Sequence, residues 1–386
     1  MATISKQYIT EKFEEVFGHT PDVVSKSPGR INIIGEHTDY NDGFVLPAAI
    51  DKYSYVAVGH RNDDEIHLFS QLFNEKLSFN LSEIKALENS WANYILGVVY
   101  HIQKNGHQLK GFNMVIDGDV PLGAGVSSSA SLESAVAVAL DKLFDLGLSK
   151  WDMTKIAQTA EHTFAGVKCG IMDQFASVFS KEDKVAKLDC RSLEFEYFPL
   201  ELGEYTLLLL NTNVKHSLAS SAYNDRREAC EKAVEIISKD FHGVKSLRDV
   251  NSQMLREYLY SDYPELYVKA SYVHDENKRV EEVCKALEKG DLETVGLFLY
   301  ASHEGLSEYY DVSCDELDFL VDEVRQYPEV LGARMMGGGF GGCTLNLLKK
   351  SFVPELIAKL KPAYEAKFNL ELTPIEVVPS EGGHVL

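Results

Sequence analysis

Residues 121–140 read PLGAGVSSSASLESAVAVAL, and this stretch limits the fold more than any other in the chain. The run GFNMVIDGDV before it predicts a strand, and Gly123 and Gly125 permit backbone with positive φ. From residue 129 the period changes: Leu132, Val136, Leu140 and Leu143 fall on one helical stripe, with Gly147 as the expected stop. The chain must therefore pass from a strand to an amphipathic helix through a glycine-relaxed loop. Such a loop presents successive N–H groups and a helix N-terminus to an anion, with hydroxyls beside them. A plain turn with a serine cap is the simpler account, but a cap needs one serine. This loop carries Ser127, Ser128, Ser129 and Ser131. It is not the common P-loop, since no Gly-Lys dipeptide occurs in the chain, nor a dinucleotide fingerprint, since Ser128 stands at the third glycine.

The other elements fit around this unit. FVLPAAI, YSYVAVGHR, EIHLFSQ and EKLSFNL read as short strands over residues 44–82, followed by a helix that ends at Gly106. KWDMTKIAQTAEHTFAG is a second helix, EYTLLLLNTNV the most apolar strand, and charged helices fill 220–330. A glycine-rich turn and strand precede a closing helix and strand. There is no regular βαβ alternation, so the expected class is α+β rather than doubly wound. At 386 residues the chain exceeds what one core usually supports. Two domains, 1–200 and 201–386, are the expectation.

The formal charge of −21 argues against nucleic acid, which demands a basic face, but leaves a small phosphorylated ligand open. No apolar run approaches the roughly 18 residues of a membrane span, and the first twenty residues lack the apolar stretch of a signal peptide. Six cysteines are scattered without a Cys-x-x-Cys pair, against both structural zinc and a disulfide framework. These features predict a reduced, cytoplasmic protein with no membrane partner.

Three further segments carry candidate chemistry. GRINIIGEHTDYNDG (29–43) runs an apolar strand into Glu36, His37, Thr38, Asp39 and Tyr40, with Arg30 just ahead. That is more hydrogen-bonding side chains than the Asn41-Asp42-Gly43 turn requires. In EHTFAGVKCGIMDQFASVF (161–179), Asp173 follows Gly170 in apolar company, and Glu161 lies twelve residues earlier. A carboxylate in such surroundings is costly unless paired, so it meets a cation, does chemistry, or caps the helix that follows. GARMMGGGFGGCTLNLL fits Gly-x-Gly-x-x-Gly through Gly337, Gly339 and Gly342. The run after it is β-like where a nicotinamide site demands a helix. A hairpin, or a backbone packed against a ligand or the other domain, remains.

Together these segments resemble the GHMP kinase superfamily, and within it the galactokinases. SPGRINIIGEHTDYNDGFVLP is similar to the galactokinase sugar signature, PLGAGVSSSASLE to the ATP loop, CGIMDQ to the catalytic-aspartate segment, and GARMMGGGFGGCTLNLL to the third glycine motif. NTNVKHSLASSAYNDRREAC resembles the middle region. Departures are Val126 where leucine is common, Met336 where threonine is frequent, and Asp42 where glycine is usual. None removes a group with a chemical role.

The resemblance implies a two-domain GHMP kinase fold, with a ribosomal-S5-domain-2-like N-terminal domain, a ferredoxin-like C-terminal domain and the active site between them. It implies phosphorylation of the anomeric 1-hydroxyl of D-galactose by Mg-ATP in a monomer. Asp173 would be the base and Arg30 its cationic partner. Glu36, His37, Thr38, Asp39, Gly170 and Tyr223 would form the sugar set. Gly123, Ala124, Gly125, Val126, Ser127, Ser128 and Ser129 would cradle the phosphates, Ser129 and Glu161 would hold Mg2+, and Ser70 would contact the nucleotide. Trp91 and Tyr94 would wall the adenine pocket or pack in the core. Other sugars, N-acetylgalactosamine or arabinose, and a non-catalytic sugar and nucleotide sensor are the rival readings.

Overall fold

The computed structural model describes residues 4–214 and 219–386. Of the middle-region stretch, residues 215–218 lie outside the described residues. The larger sheet is built on two long antiparallel strands, Val23–Asn32 and Pro47–His60. Phe112–Gly118 extends it, Glu65–Ser70 joins in parallel, and Glu75–Asn80 forms the edge. Two of the expected short strands are thus one continuous strand of 14 residues, Pro47–His60. Its middle stays extended because Asp51 is paired from outside: its N–H donates to the Val378 carbonyl, and its carboxylate accepts from the Val378 N–H, each at 3.0 Å. Phe44–Val45 instead joins a separate small sheet with Lys184–Asp189 and Phe195–Pro199.

Helices Asn93–Lys104, Ser128–Phe144 and Lys150–Ala160 share one core with the large sheet, where Leu96, Val99, Val136, Leu140 and Ile156 meet Val56, Leu68 and Met114. The helix Ser128–Phe144 stops earlier than Gly147 suggests. Asp145 takes the left-handed conformation (φ 51°) and its N–H bonds the Asp141 carbonyl. Aspartate is among the few residues that tolerate this region, so it ends the helix two residues early.

A second, antiparallel sheet has the order Val330–Met336, Cys343–Lys349, Tyr205–Asn211, Thr373–Val377. Asp315–Arg325 and Val353–Phe368 cover one face through Leu320, Val324, Leu356 and Leu360. On the other, Leu207, Leu209 and Leu345 share a core with Ile31, Ile33 and Leu46 from the first half. After Thr373–Val377 the tail returns to the first sheet: Pro379–Ser380 pairs with Pro47–His60, and His384–Val385 with Val23–Asn32. These two strands were not expected from the sequence. The two halves are thus joined through both core and backbone.

Candidate active site

Asp173 lies in the first turn of the helix Met172–Phe179 and does not cap it. Both of its oxygens have partners from elsewhere in the chain. Arg30 Nε donates to Oδ1 at 2.7 Å, and the Ser127 hydroxyl donates to Oδ2 at 2.5 Å. Arg30 is itself buried; its Nη1 donates to the Gly125 carbonyl (2.6 Å) and its N–H to the Val126 carbonyl (3.0 Å). One arginine therefore ties the carboxylate to the glycine–serine loop. Ser127 stands at the N-cap of the helix Ser128–Phe144 but makes no capping bond and has φ 60°. A non-glycine residue held in that region is a strain that surrounding contacts must impose, and here it aims a hydroxyl at Asp173. Gly123 and Gly125 have φ of 72° and 74°, as the sequence predicted.

Two cavities flank this group. One, of about 240 Å3, is lined by Arg30, Glu36, His37, Asp39, Glu161, Cys169, Gly170, Asp173 and Tyr223. That is below the roughly 300–1,000 Å3 of drug-sized sites and suits a small polar molecule. The other, of about 330 Å3, is lined by Ser70, Trp91, Tyr94, Gly123, Ser128 and Ser129 together with Leu72, Phe73 and Leu122. Its walls are apolar; Phe73 and Trp91 stack with ring centroids 6.3 Å apart, and the Trp91 indole donates to Glu75. The Ser129 hydroxyl donates to Glu161 Oε1 at 3.0 Å, joining the wall of one cavity to the wall of the other.

The remaining expected residues fall into two groups. Glu36, His37 and Asp39 face the small cavity beside Tyr223, whose ring lies 5.3 Å from that of His37. Thr38 does not line it. Its hydroxyl is buried between the carbonyls of Gly35 (2.8 Å) and Phe44 (2.6 Å) and closes the loop from within. Ala124 and Val126 turn buried side chains into the core, leaving only their backbone for a ligand. Ser131 is part of a buried network with Ser27 and Ser54 rather than the loop's hydroxyl row.

Burial and shared negative charge shape the titration of the site. Burial pushes His37 down to about 3, so its ring is neutral; Nδ1 pairs with the Tyr40 hydroxyl at 2.7 Å, and Nε2 sits beside the Gly338 carbonyl without a well-aligned partner. Burial, then the Asp173 charge, raises Asp39 to about 7. The same two causes raise Glu161 to about 7, against bonds from Ser129, Cys169 and Gln174. An acid raised on folding favours the folded state below its ordinary range, near 3.8, and that stability drains away as pH climbs through about 7. Asp39→Asn removes this loss. Its melting temperature relative to the parent is expected to improve between pH 5 and pH 8, with a gain of about 2–4 kcal/mol at the alkaline end. An unchanged difference across that range would mean that Asp39 is not held protonated.

Sequence reading missed Arg334, Glu276 and Gln174. Gln174 is buried and donates to Glu161 Oε2 at 2.8 Å. Arg334 sits inside the third glycine motif and Gln174 inside the CGIMDQ segment, whereas Glu276 left no sequence signal. Among the described residues, no group of three or more His, Cys, Asp or Glu side chains forms a candidate metal site. A hydroxyl and one carboxylate converging at 3.0 Å do suit Mg2+, which keeps several waters and takes few protein ligands.

A loop whose hydroxyl and carbonyl oxygens reach an Arg–Asp pair, between a nucleotide-sized apolar cavity and a small polar one, defines a small-molecule kinase. The GHMP kinases N terminal domain family matches residues 93–181, GHMP kinases C terminal matches 284–365, and the galactokinase galactose-binding signature matches 11–60. A galactokinase from Thermosipho africanus is 43% identical, over 92% of this chain and 98% of that protein. The structure of Lactococcus lactis galactokinase complexed with galactose superposes with a TM-score of 0.94 at 34% identity, covering 98% of this chain and 99% of that one. Methanococcus jannaschii mevalonate kinase shares the fold alone, with a TM-score of 0.67 at 18% identity over 93% and 98% of the two chains. The chain belongs to the galactokinase family of GHMP kinases.

No helix among the described residues is long and apolar enough to cross a membrane.

Proposed function

We propose that the protein transfers the γ-phosphoryl group of ATP to the anomeric 1-hydroxyl of D-galactose, giving galactose 1-phosphate and ADP at the entry to galactose use in the cytoplasm. The observation that carries this reading is the placement of Asp173, bonded at once to Arg30 and Ser127 beside the cavity that Glu36, His37 and Asp39 line. The galactose held by the Lactococcus lactis relative supports the choice of sugar.

Phosphoryl transfer depends on alignment and charge stabilisation more than on covalent chemistry. The base of the nucleotide occupies the cavity between Trp91, Tyr94 and Leu72, and its phosphates run along 123–129 toward Ser127. Galactose sits against Glu36, His37, Asp39 and Tyr223, with its 1-hydroxyl at Asp173. Asp173 accepts the hydroxyl proton late, as negative charge moves onto the phosphoryl oxygens. Arg30 holds Asp173 in place and stabilises that charge. Ser129 and Glu161 would hold Mg2+, which would supply positive charge to offset that of the phosphates.

The test is a panel of monosaccharides incubated with Mg-ATP, with ADP release followed and the phosphate placed on the product by NMR. Galactose phosphorylated at carbon 1 is the expected product. Phosphorylation of N-acetylgalactosamine or arabinose in preference to galactose would reassign the substrate, and sugar binding without ADP release would make the protein a sensor.

A further inference from the structure

Glu36 is held from the far half of the chain, 298 positions away. Arg334, on the strand Val330–Met336, is fully buried. Its Nε donates to the Ile33 carbonyl and its Nη1 to the Met335 carbonyl, each at 2.8 Å. Its Nη2 donates to the Asn32 carbonyl and, at 3.0 Å, to Glu36 Oε1. The same Oε1 accepts from the Gly337 N–H at 2.8 Å. One carboxylate oxygen is thus bonded twice, which leaves Oε2 for a ligand in the cavity that Glu36 lines. The backbone is gripped as well. Glu276, buried on the helix Pro264–Glu288, accepts from the amides of Gly35 (2.9 Å) and Glu36 (3.3 Å), and is itself held by Ser302 and Arg279.

A site built to bond a substrate hydroxyl rejects the analogue lacking it because its own polar group is left unpaired. That penalty applies only if the acceptor cannot swing away to another donor. A buried guanidinium filled on Nε, Nη1 and Nη2 supplies a rigid fork of a kind lysine cannot reproduce. We propose that Arg334 is a positioning residue for sugar recognition, locking Glu36 in one orientation so that the cavity demands a hydroxyl opposite Oε2. This rests on the galactokinase reading of the cavity. Arg334 therefore matters for sugars that carry the hydroxyl opposite Oε2 and little for the analogue that lacks it.

The test compares galactose with its monodeoxy analogues, by calorimetric binding and by kcat/KM, in the parent enzyme, Glu36→Gln, Arg334→Lys and Glu36→Asp. Glu36→Gln identifies the hydroxyl that Glu36 reads, as the analogue whose disadvantage against galactose shrinks. Arg334→Lys is expected to lower kcat/KM for galactose about tenfold to a hundredfold, and to reduce discrimination against that same analogue to within about threefold. Discrimination against the other analogues should persist. Glu36→Asp withdraws the carboxylate from the fork by one methylene without touching Arg334; it should behave alike and decides the matter if Arg334→Lys does not fold. Loss spread equally over all the sugars in the variants that fold would overturn the positioning role. A Glu36→Gln enzyme that treats every sugar as the parent does would remove Glu36 from sugar recognition, and the proposal with it.

Discussion

Asp173→Asn is expected to lower kcat at least about a thousandfold while galactose binding stays within a few fold. Asparagine keeps the shape of the side chain and an oxygen for Arg30, but it cannot take up the proton of the attacking hydroxyl. The substitution also leaves the buried Arg30 guanidinium without its carboxylate. Removing one partner of a buried pair typically costs about 3–5 kcal/mol of stability. The assay therefore needs three readings: a melting temperature, a galactose titration and a single-turnover rate. A folded variant that binds galactose and still turns over within tenfold of the parent would take Asp173 out of the proton transfer.

The second large effect is expected from Gly170→Ala. A Cβ built at Gly170 lies 1.7 Å from Asp39 Oδ2 and 2.2 Å from its Cγ, far inside any van der Waals contact. Asp39 or the 166–172 segment must move by an ångström or more, and both line the small cavity. A displacement of that size in a positioning group costs about a hundredfold in rate, and kcat/KM for galactose should fall by at least that much. Gly170 does not line the apolar cavity around Trp91, so nucleotide affinity should be nearly unchanged. Measuring both affinities on one preparation distinguishes a local clash from unfolding. Equal loss of sugar and nucleotide binding would contradict the local account.

Glu161 and Gln174 show how the site was half legible. Glu161, twelve residues before Asp173, was a metal-ligand candidate only through the galactokinase resemblance. Its Oε1 accepts from the Ser129 hydroxyl at 3.0 Å. Its second oxygen is held by Gln174, which sits beside Asp173 in the CGIMDQ segment but whose partner no local pattern indicates. Thr38 is the converse. Its position between His37 and Asp39 suggested a ligand contact, yet a β-branched hydroxyl one residue out of step faces inward and bonds the loop's own carbonyls. Ser127, read as one of the phosphate-cradling serines, donates to Asp173, a contact the sequence did not indicate.

The sequence by itself determined the local devices: a glycine-relaxed turn with a row of hydroxyls, a carboxylate in apolar surroundings, and a polar cluster closing an apolar strand. These follow from nearest-neighbour backbone preferences and hydrophobic period, which a short window contains. Only the tertiary structure decided which groups satisfy one another. Arg334 reaches Glu36, Glu276 takes the amides of Gly35 and Glu36, and the last eight residues complete the first sheet rather than the second. A buried polar group announces in sequence that it needs a partner. The identity of that partner depends on which distant segments the core brings together, and no local pattern encodes it.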